Sequence, residues 1–408
     1  GGGRGGGRSK AEPSNKINLQ FTGDFHAITA ANNLLSAAID NRLYFRDIDL
    51  DPTRILWKRA LDMNDRALRK NVVGLGGHAQ GVPRESGFDI TAASEVMAIL
   101  CLSESLADLR ERIDRVLVGF AGDGSPVLAS RLRVTGAMTA ILKEAILPNL
   151  VQTTESTPAF VHGGPFANIA HGCNSVLATR MALATSDYAI TEAGFAFDLG
   201  GEKFFDLKCR AANLNPAAVV LVATIRALKM HGGVPLSEIT RPDPAAVERG
   251  MVNLAAHLDG AAHFGKPILV AINQFGDDTP EELELVHAFC QSRNVPCSTA
   301  DVFRKGGAGT TDLAEKVVAA AAVAETPYLP LYPLDWTAER KIERIAQAMY
   351  GAEGVVIQQA AQQKLRKADQ LGYGALPICM AKTQDSLSDN PKLRGRPRGF
   401  TLSVRDVE

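Results

Sequence analysis

The stretch that decides the fold contains TPAFVHGGPFANIAHGCNS (157–175) and TEAGFAFDLGGEKFFD (191–206). The apolar run at 159–161 predicts a buried strand that stops at a glycine-rich loop. A helical pattern then covers about 174–184, and residues 188–193 predict a second strand. Strand, loop, helix and strand again is the βαβ pattern, and ligands of such sheets bind outside the carboxyl ends of the strands.

The loop after the first predicted strand carries the chemistry. Gly163 and Gly164 lack a Cβ, so the backbone can turn sharply and a ligand can approach the amides closely. Asn168, His171 and Asn174 bring uncharged donors towards the start of the helix, where unpaired N–H groups favour an anion. A tight turn with helix-capping asparagines explains the same residues equally well. The residues alone leave both interpretations open.

Several blocks together resemble the formate–tetrahydrofolate ligase family. Beside the central stretch they are, in the family's order, FTGDFHAITAANNL (21–34), MNDRALR (63–69), FDITAASEVMAIL (88–100), VATIRALKMHGG (222–233) and LPICMAKTQDSLSDNPK (376–392). The resemblance implies an enzyme of one-carbon metabolism that ligates formate to tetrahydrofolate through formyl phosphate, giving 10-formyltetrahydrofolate. Its substrates would be ATP with Mg²⁺, formate and tetrahydrofolate, and a monovalent cation is left open as a cofactor.

Composition restricts the class of protein. The chain has 408 residues, a formal net charge of −1 and ordinary hydrophobic and charged fractions. A net charge this small produces no overall electrostatic field that would attract nucleic acid or an anionic membrane. No apolar run approaches the roughly 20 residues that span a bilayer. Six scattered cysteines without a CxxC pair are typical of reduced thiols in a cytoplasmic protein. We therefore expect neither nucleic acid nor a membrane as partner, and the resemblance adds a homotetramer.

Apolar strands alternate with helical patterns along the chain. This alternation predicts an α/β fold with a mostly parallel sheet flanked by helices. The clearest further strands are predicted at 217–223 and 266–272. The clearest further helices are predicted at 244–263 and 279–293. We also expect a short strand at 17–21 and a helix at 51–71.

Three domains are expected. They are a large nucleotide and formyl-phosphate domain (1–250), a smaller α/β folate domain (251–350) and a partial third domain (351–408). The resemblance implies a P-loop NTPase-like large domain, yet no GxxxxGK[ST] loop occurs in the 408 residues. Full-length members carry that loop in a preceding segment, so we expect a fragment with little or no ligase activity. The alternative is a non-catalytic folate- or nucleotide-binding or assembly module derived from the ligase.

The resemblance also assigns the residues of the formyl-phosphate site. It implies catalytic roles for His26 and His162, beside the phosphates and at the tetrahedral intermediate. The structural alternative for His26 is a histidine that satisfies backbone groups at a helix start. For His162 it is a buried histidine that closes the strand. The residues assigned to formyl phosphate are Gly163, Gly164, Asn168, Ala170 and Lys203. For Lys203, pairing with a carboxylate stays open beside binding a phosphate.

Aromatic residues dominate the rest of the predicted site. The residues assigned to the nucleotide are Glu192, Phe195, Phe197 and Asp198. Phe275 and Phe303 each follow a predicted strand end, and the resemblance places them on opposite faces of the pterin. Offset stacking of such rings is worth about 0.5–1.5 kcal/mol beyond burial. Since family members commonly carry tryptophan at the second position, Phe303 predicts weaker folate binding, whereas a core aromatic is the alternative for both. No metal ligand is predicted.

Overall fold

The computed structural model describes residues 5–6, 9–12, 14–323 and 326–408, with side chains from Gly23 onward except that of His78. The helices, α1 to α13 in chain order, are Ser14–Phe45, Glu95–Leu102, Leu106–Asp114, Thr135–Leu142, Val176–Thr185, Arg210–Ala212, Ile225–His231, Pro244–Ala262, Pro280–Ser292, Val302–Lys305, Thr311–Ala321, Ala338–Ile345 and Gln359–Gln370. The strands, β1 to β15, are Gly5–Gly6, Ser9–Glu12, Arg59–Leu61, Asn71–Val73, Arg84–Ser86, Phe88–Ile90, Leu117–Phe120, Pro126–Leu128, Asn149–Thr153, Pro158–Val161, Val219–Ala223, Ile268–Asn273, Cys297–Ala300, Gly354–Ile357 and Thr401–Val404. Wide π-helical turns cover Phe197–Gly201, Phe204–Cys209 and Ala346–Tyr350.

A three-stranded parallel sheet organises the second half of the chain. Its order is β11–β12–β13, with Leu221 opposite Val270 and Ile272 opposite Thr299. Strand β12 is buried along most of its length, as expected of a strand covered on both faces. The predicted strands at 217–223 and 266–272 and the predicted helices at 244–263 and 279–293 are confirmed. Local signals suffice here, because Thr279 and Glu282 form a complete capping box at the start of α9.

The strand of the central stretch belongs to a β-hairpin, and the predicted βαβ unit does not form. Strand β10 confirms the predicted strand at 159–161, but it pairs antiparallel with β9, with Phe160 opposite Leu150. The predicted strand at 188–193 is wrong, since only an isolated bridge joins Cys173 to Ala193. Ile190 is 88% exposed, so the apolar residues of that run are not drawn into a sheet.

Two further predictions are corrected by the structure. Residues 17–21 are helical and belong to α1, which continues through Gly23 without a turn. A glycine within a helix weakens it by only about 1 kcal/mol, so tertiary packing can override it. The predicted helix at 51–71 is replaced by extended chain and by β3, which is parallel to β6. There the N–H of Leu56 donates to the Val118 carbonyl, so pairing with β7 outweighs the helical pattern.

Helices and small sheets together give a mixed α/β fold, as predicted. The sheets are smaller than expected, however. Within the described residues the longest parallel run is the three-stranded sheet, and the chain also forms antiparallel pairs such as β7 with β8. A large, mostly parallel sheet is therefore not what these residues build. The strands pair in several small, separate sheets instead of joining one large sheet.

Buried apolar residues form two clusters. The first lies between Ile28 and Ile146, and the second between Phe197 and Leu402. The second cluster draws side chains from all three predicted domains, and the domain boundaries at 250 and 350 stay predictions. None of the helices in the described part of the chain combines the length and the apolarity needed to span a bilayer.

Candidate functional site

His162 joins the end of β10 to the start of α5. Its Nε2 lies 2.7 Å from the Ala145 carbonyl, and its Nδ1 lies 2.7 Å from Ser175 Oγ. Because a carbonyl only accepts, Nε2 carries the proton, and the Ser175 hydroxyl donates to Nδ1. The ring is 1% exposed, and burial lowers the pKa of His162. The imidazole is thus neutral and both of its nitrogens are occupied by the protein, which is the structural alternative named above.

Gly163 and Gly164 make the turn after β10 possible. Gly163 has φ of +72°, and a Cβ there would collide with the Cys101 thiol of α2. A Cβ on Gly164 would come within 3.2 Å of the Phe25 ring of α1. Burial raises the pKa of Cys101 to about 12, so the thiol that faces this turn is protonated. The glycines therefore allow the loop to lie directly on two helices.

Lys203 supports the loop from inside. Its ammonium group is fully buried and donates to the carbonyl oxygens of Ala167, at 2.5 Å, and Ala170, at 3.0 Å. The side-chain oxygen of Asn168, the residue after Ala167, is buried and has no hydrogen-bond partner among the described residues. Lys203 thus binds loop backbone, while the Asn168 amide keeps an acceptor that a ligand could use.

The residues behind this loop are ionisable although they are fully buried. Glu202, Asp206 and Lys208 are each 0% exposed. Burial, followed by the neighbouring Asp206 carboxylate, raises the pKa of Glu202 well above its ordinary value. Asp206 accepts from Arg210 at 2.8 Å, so we assign the proton to Glu202 and the negative charge to Asp206. Burial and then the lysines lower the pKa of His171 to about 3, which keeps that ring neutral.

The four residues assigned to the nucleotide divide into two exposed and two buried side chains. Glu192 is exposed, and Phe195 is 58% exposed with φ of +58°. Phe197 belongs to the second core cluster and packs against Phe264. Asp198 is buried and forms an ion pair of 2.8 Å with Lys382.

The two residues assigned to folate lie at the carboxyl edge of the parallel sheet, as predicted from the strand ends. Phe275 follows β12, and Phe303 lies on α10 directly after β13. The guanidinium of Arg226, which follows β11, stacks over the Phe275 ring at 4.1 Å and pairs with Asp277. Phe303 is 62% exposed. Residues that follow all three strand ends therefore lie at one edge of the sheet, where ligands of parallel sheets bind.

One contact connects this edge to the central hairpin. Glu155, in the turn between β9 and β10, accepts two hydrogen bonds from the backbone N–H of Gly307, at 2.8 and 3.0 Å. Gly307 follows the helix that carries Phe303. The structure thus brings the segment after α10 against the hairpin that leads to Gly163.

His26 lies on α1 and is exposed. Two residues earlier, Asp24 is buried and accepts from the Asn149 side chain at 2.8 Å, and burial raises the pKa of Asp24. The structure has a surface cavity of about 310 Å³, lined by residues that fall within 334–375, and another of about 380 Å³, lined by residues that fall within 42–133. Neither cavity is lined by a residue of the predicted site.

Three residues with clear roles were not predicted as site residues. They are Glu155, Ser175 and Lys382. The block LPICMAKTQDSLSDNPK already contained Lys382, so a lysine inside a polar family block was an available signal. Glu155 gave no signal, because a glutamate in a hairpin turn is ordinary and its partner is 152 residues away.

Comparison with known proteins agrees with the resemblance seen in the sequence. The family model described as formate–tetrahydrofolate ligase matches residues 1–408. Curated proteins named formate–tetrahydrofolate ligase, from three strains of Cereibacter sphaeroides, are each 53% identical over 410 residues. The matches cover 100% of this chain and 73% of each relative. The chain therefore belongs to the formate–tetrahydrofolate ligase family.

Proposed function

We propose that this protein ligates formate to tetrahydrofolate at the expense of ATP, giving 10-formyltetrahydrofolate through formyl phosphate. The observation that carries the proposal is the family match along the whole chain, at 53% identity to proteins of that name. The alternative of a non-catalytic binding or assembly module receives no support from these comparisons. The exposed aromatic Phe303 at the carboxyl edge of the sheet is the structural feature that fits a flat substrate.

The reaction has two steps. A formate oxygen attacks the γ-phosphorus and ADP leaves; then N10 of tetrahydrofolate attacks the formyl carbon, the C–O bond to phosphate breaks, and N10 loses its proton. Both steps build negative charge on oxygens in one place. Catalysis then comes mainly from positioning and from preorganised donors, without a covalent intermediate on the protein.

The loop after β10 is proposed to hold formyl phosphate. In this proposal Gly163, Gly164 and Ala170 form the backbone wall, and the side chain of Asn168 contacts the ligand, because its oxygen has no partner in the described part of the chain. Lys203 positions the wall through the carbonyls that it binds. We give His162 a positioning role as well, since Ser175 and Ala145 occupy both of its ring nitrogens.

Exposed His26 is proposed to act on the phosphates, as a donor or as a proton carrier. For the nucleotide we propose that Glu192 and Phe195 make the direct contacts, because their side chains are open to solvent. Phe197 and Asp198 would then hold that segment in place from the core. A P-loop NTPase-like architecture for the large domain is part of the same proposal, supported by the resemblance.

Magnesium enters as part of the ATP substrate. Among the residues whose positions are described, no group of three or more His, Cys, Asp or Glu side chains could hold a metal ion. Mg²⁺ bound to ATP commonly relies on phosphate oxygens, waters and one or two carboxylates. We therefore assign no residue of this chain to it.

The family resemblance also supports the proposal of a homotetramer in the cytoplasm, which sedimentation and cell fractionation would test.

Folate binding at the sheet edge can be tested with Phe303. Replacing Phe303 by alanine removes an aromatic face, and we expect tetrahydrofolate to bind about tenfold more weakly, because stacking and burial together are worth more than about 1 kcal/mol. Replacing Phe303 by tryptophan should strengthen binding. The matched control is Phe45→Ala, since Phe45 is 65% exposed but lies at the end of α1.

The measurements are the tetrahydrofolate dissociation constant and the formation of 10-formyltetrahydrofolate that depends on ATP and formate. Equal effects of Phe303→Ala and Phe45→Ala on folate binding would contradict the assignment of this edge. Product formation in the absence of ATP would contradict the ligase reaction.

A further inference from the structure

Glu155 lies at the tip of the central hairpin, far in sequence from the folate segment. Its carboxylate receives the Gly307 N–H on both oxygens, 3.0 Å to Oε1 and 2.8 Å to Oε2. Charge-assisted bonds of this kind are about twice as strong as neutral ones. One side chain therefore fixes the start of the segment that follows α10.

Glycine is needed for this approach. A Cβ on Gly307 would lie 2.9 Å from Glu155 Oε2, and Gly306 has φ of +61°. Because the atom that a Cβ at 307 would meet is the free end of a flexible side chain, a residue there would displace the carboxylate and leave the fold intact. Substitution at Gly307 is thus a second way to break the contact.

The segment around Gly307 is connected rigidly to the helix that carries Phe303. The N–H of Asp301 donates to the Gly309 carbonyl at 3.1 Å, and the Thr310 hydroxyl donates to the Gly307 carbonyl at 2.9 Å. Phe303 itself is 62% exposed, so few packing contacts hold its ring. The backbone of α10 therefore sets the position of the Phe303 Cβ, and with it the range of directions open to the ring.

We propose that Glu155 is a positioning residue for tetrahydrofolate. Its carboxylate holds Gly307, and with it α10, so that Phe303 presents the pterin towards the loop at the other end of the same hairpin. This inference rests on the proposed function of that loop and of Phe303. Glu155 touches no substrate, so its loss should raise the KM for tetrahydrofolate and leave the KM values for ATP and formate unchanged.

The test compares Glu155→Ala, Glu155→Gln and Gly307→Ala with Glu111→Ala, an exposed glutamate of α3. Tetrahydrofolate binding is measured by titration, and amide hydrogen exchange is followed for residues 301–310. We expect Glu155→Ala and Gly307→Ala each to weaken folate binding about fivefold and to speed exchange at Gly307. This is less than the roughly tenfold loss for a buried bond to a charged group, because the bond between Glu155 and Gly307 is exposed to solvent. Glu155→Gln keeps an acceptor oxygen, so its folate binding should fall between that of the unaltered protein and that of Glu155→Ala.

The double variant separates this proposal from independent effects. Because both changes break one contact, Glu155→Ala combined with Gly307→Ala should be no worse than either alone. Additive losses, or unchanged exchange at Gly307 in Glu155→Ala, would overturn the positioning role. Failure of the unaltered protein to bind tetrahydrofolate would instead overturn the proposed function, and the exchange data would still show whether the contact holds the segment.

Discussion

Removing the charge of Lys382 should destabilise the protein far more than removing that of Asp198. The two side chains form a buried ion pair and are 3% and 4% exposed. The Lys382 ammonium also donates to the carbonyls of Thr383, at 2.9 Å, and Ser386, at 2.6 Å. The carboxylate of Asp198, in contrast, has Lys382 as its cationic partner, so the pair is not symmetric.

The magnitudes follow from what each change leaves behind. Lys382→Met leaves a buried carboxylate without its cation, which costs about 3–5 kcal/mol. Asp198→Asn leaves the ammonium group with two carbonyl acceptors, so we expect about 1.5–3 kcal/mol, the range for one bond to a charged group. The double variant removes both charges and should cost clearly less than the sum of the two.

Urea unfolding at pH 7, followed by circular dichroism, measures the free energy of unfolding of each variant. The matched control is Lys70→Met, because Lys70 pairs with Glu85 at 3.7 Å while 84% exposed, and exposed pairs contribute little. If Lys382→Met cost no more than Lys70→Met, or if the two single losses were additive, the account of this buried pair would be refuted.

Two further predictions concern the loop after β10. His171 has a pKa of about 3 in the folded protein against 6.5 ordinarily, so only the unfolded chain takes up a proton as the pH falls below 6.5. When the pH falls from 7.5 to 5, the free energy of unfolding should therefore decrease by about 2 kcal/mol more in the unaltered protein than in His171→Gln. The urea midpoints of the two proteins should converge accordingly. Gly163→Ala should lower the free energy of unfolding by about 2–4 kcal/mol in the same assay, because residue 163 has a positive φ and a Cβ there collides with Cys101. Combining Gly163→Ala with Cys101→Ala should restore only the part of the stability that the collision removes. Full recovery would show that the positive φ does not destabilise an alanine at this position.

Local sequence determined the elements of the parallel sheet and its helices. Strands β11 and β12 are continuous apolar runs, and α9 begins with its own capping box, so no distant residue is needed to define them. The positions of Phe275 and Phe303 at the strand ends follow from the same signals. For these parts, each residue's neighbours along the chain carry enough information.

Tertiary structure decided the remainder. The run containing Ile190 is apolar enough for a strand but finds no partner, and β10 pairs with β9 instead of entering a parallel sheet. The contacts of Glu155 with Gly307 and of Asp198 with Lys382 join residues 152 and 184 positions apart. A hydrogen bond or an ion pair depends on distance in space, and separations of this size leave no periodic trace in the sequence from which that distance could be inferred.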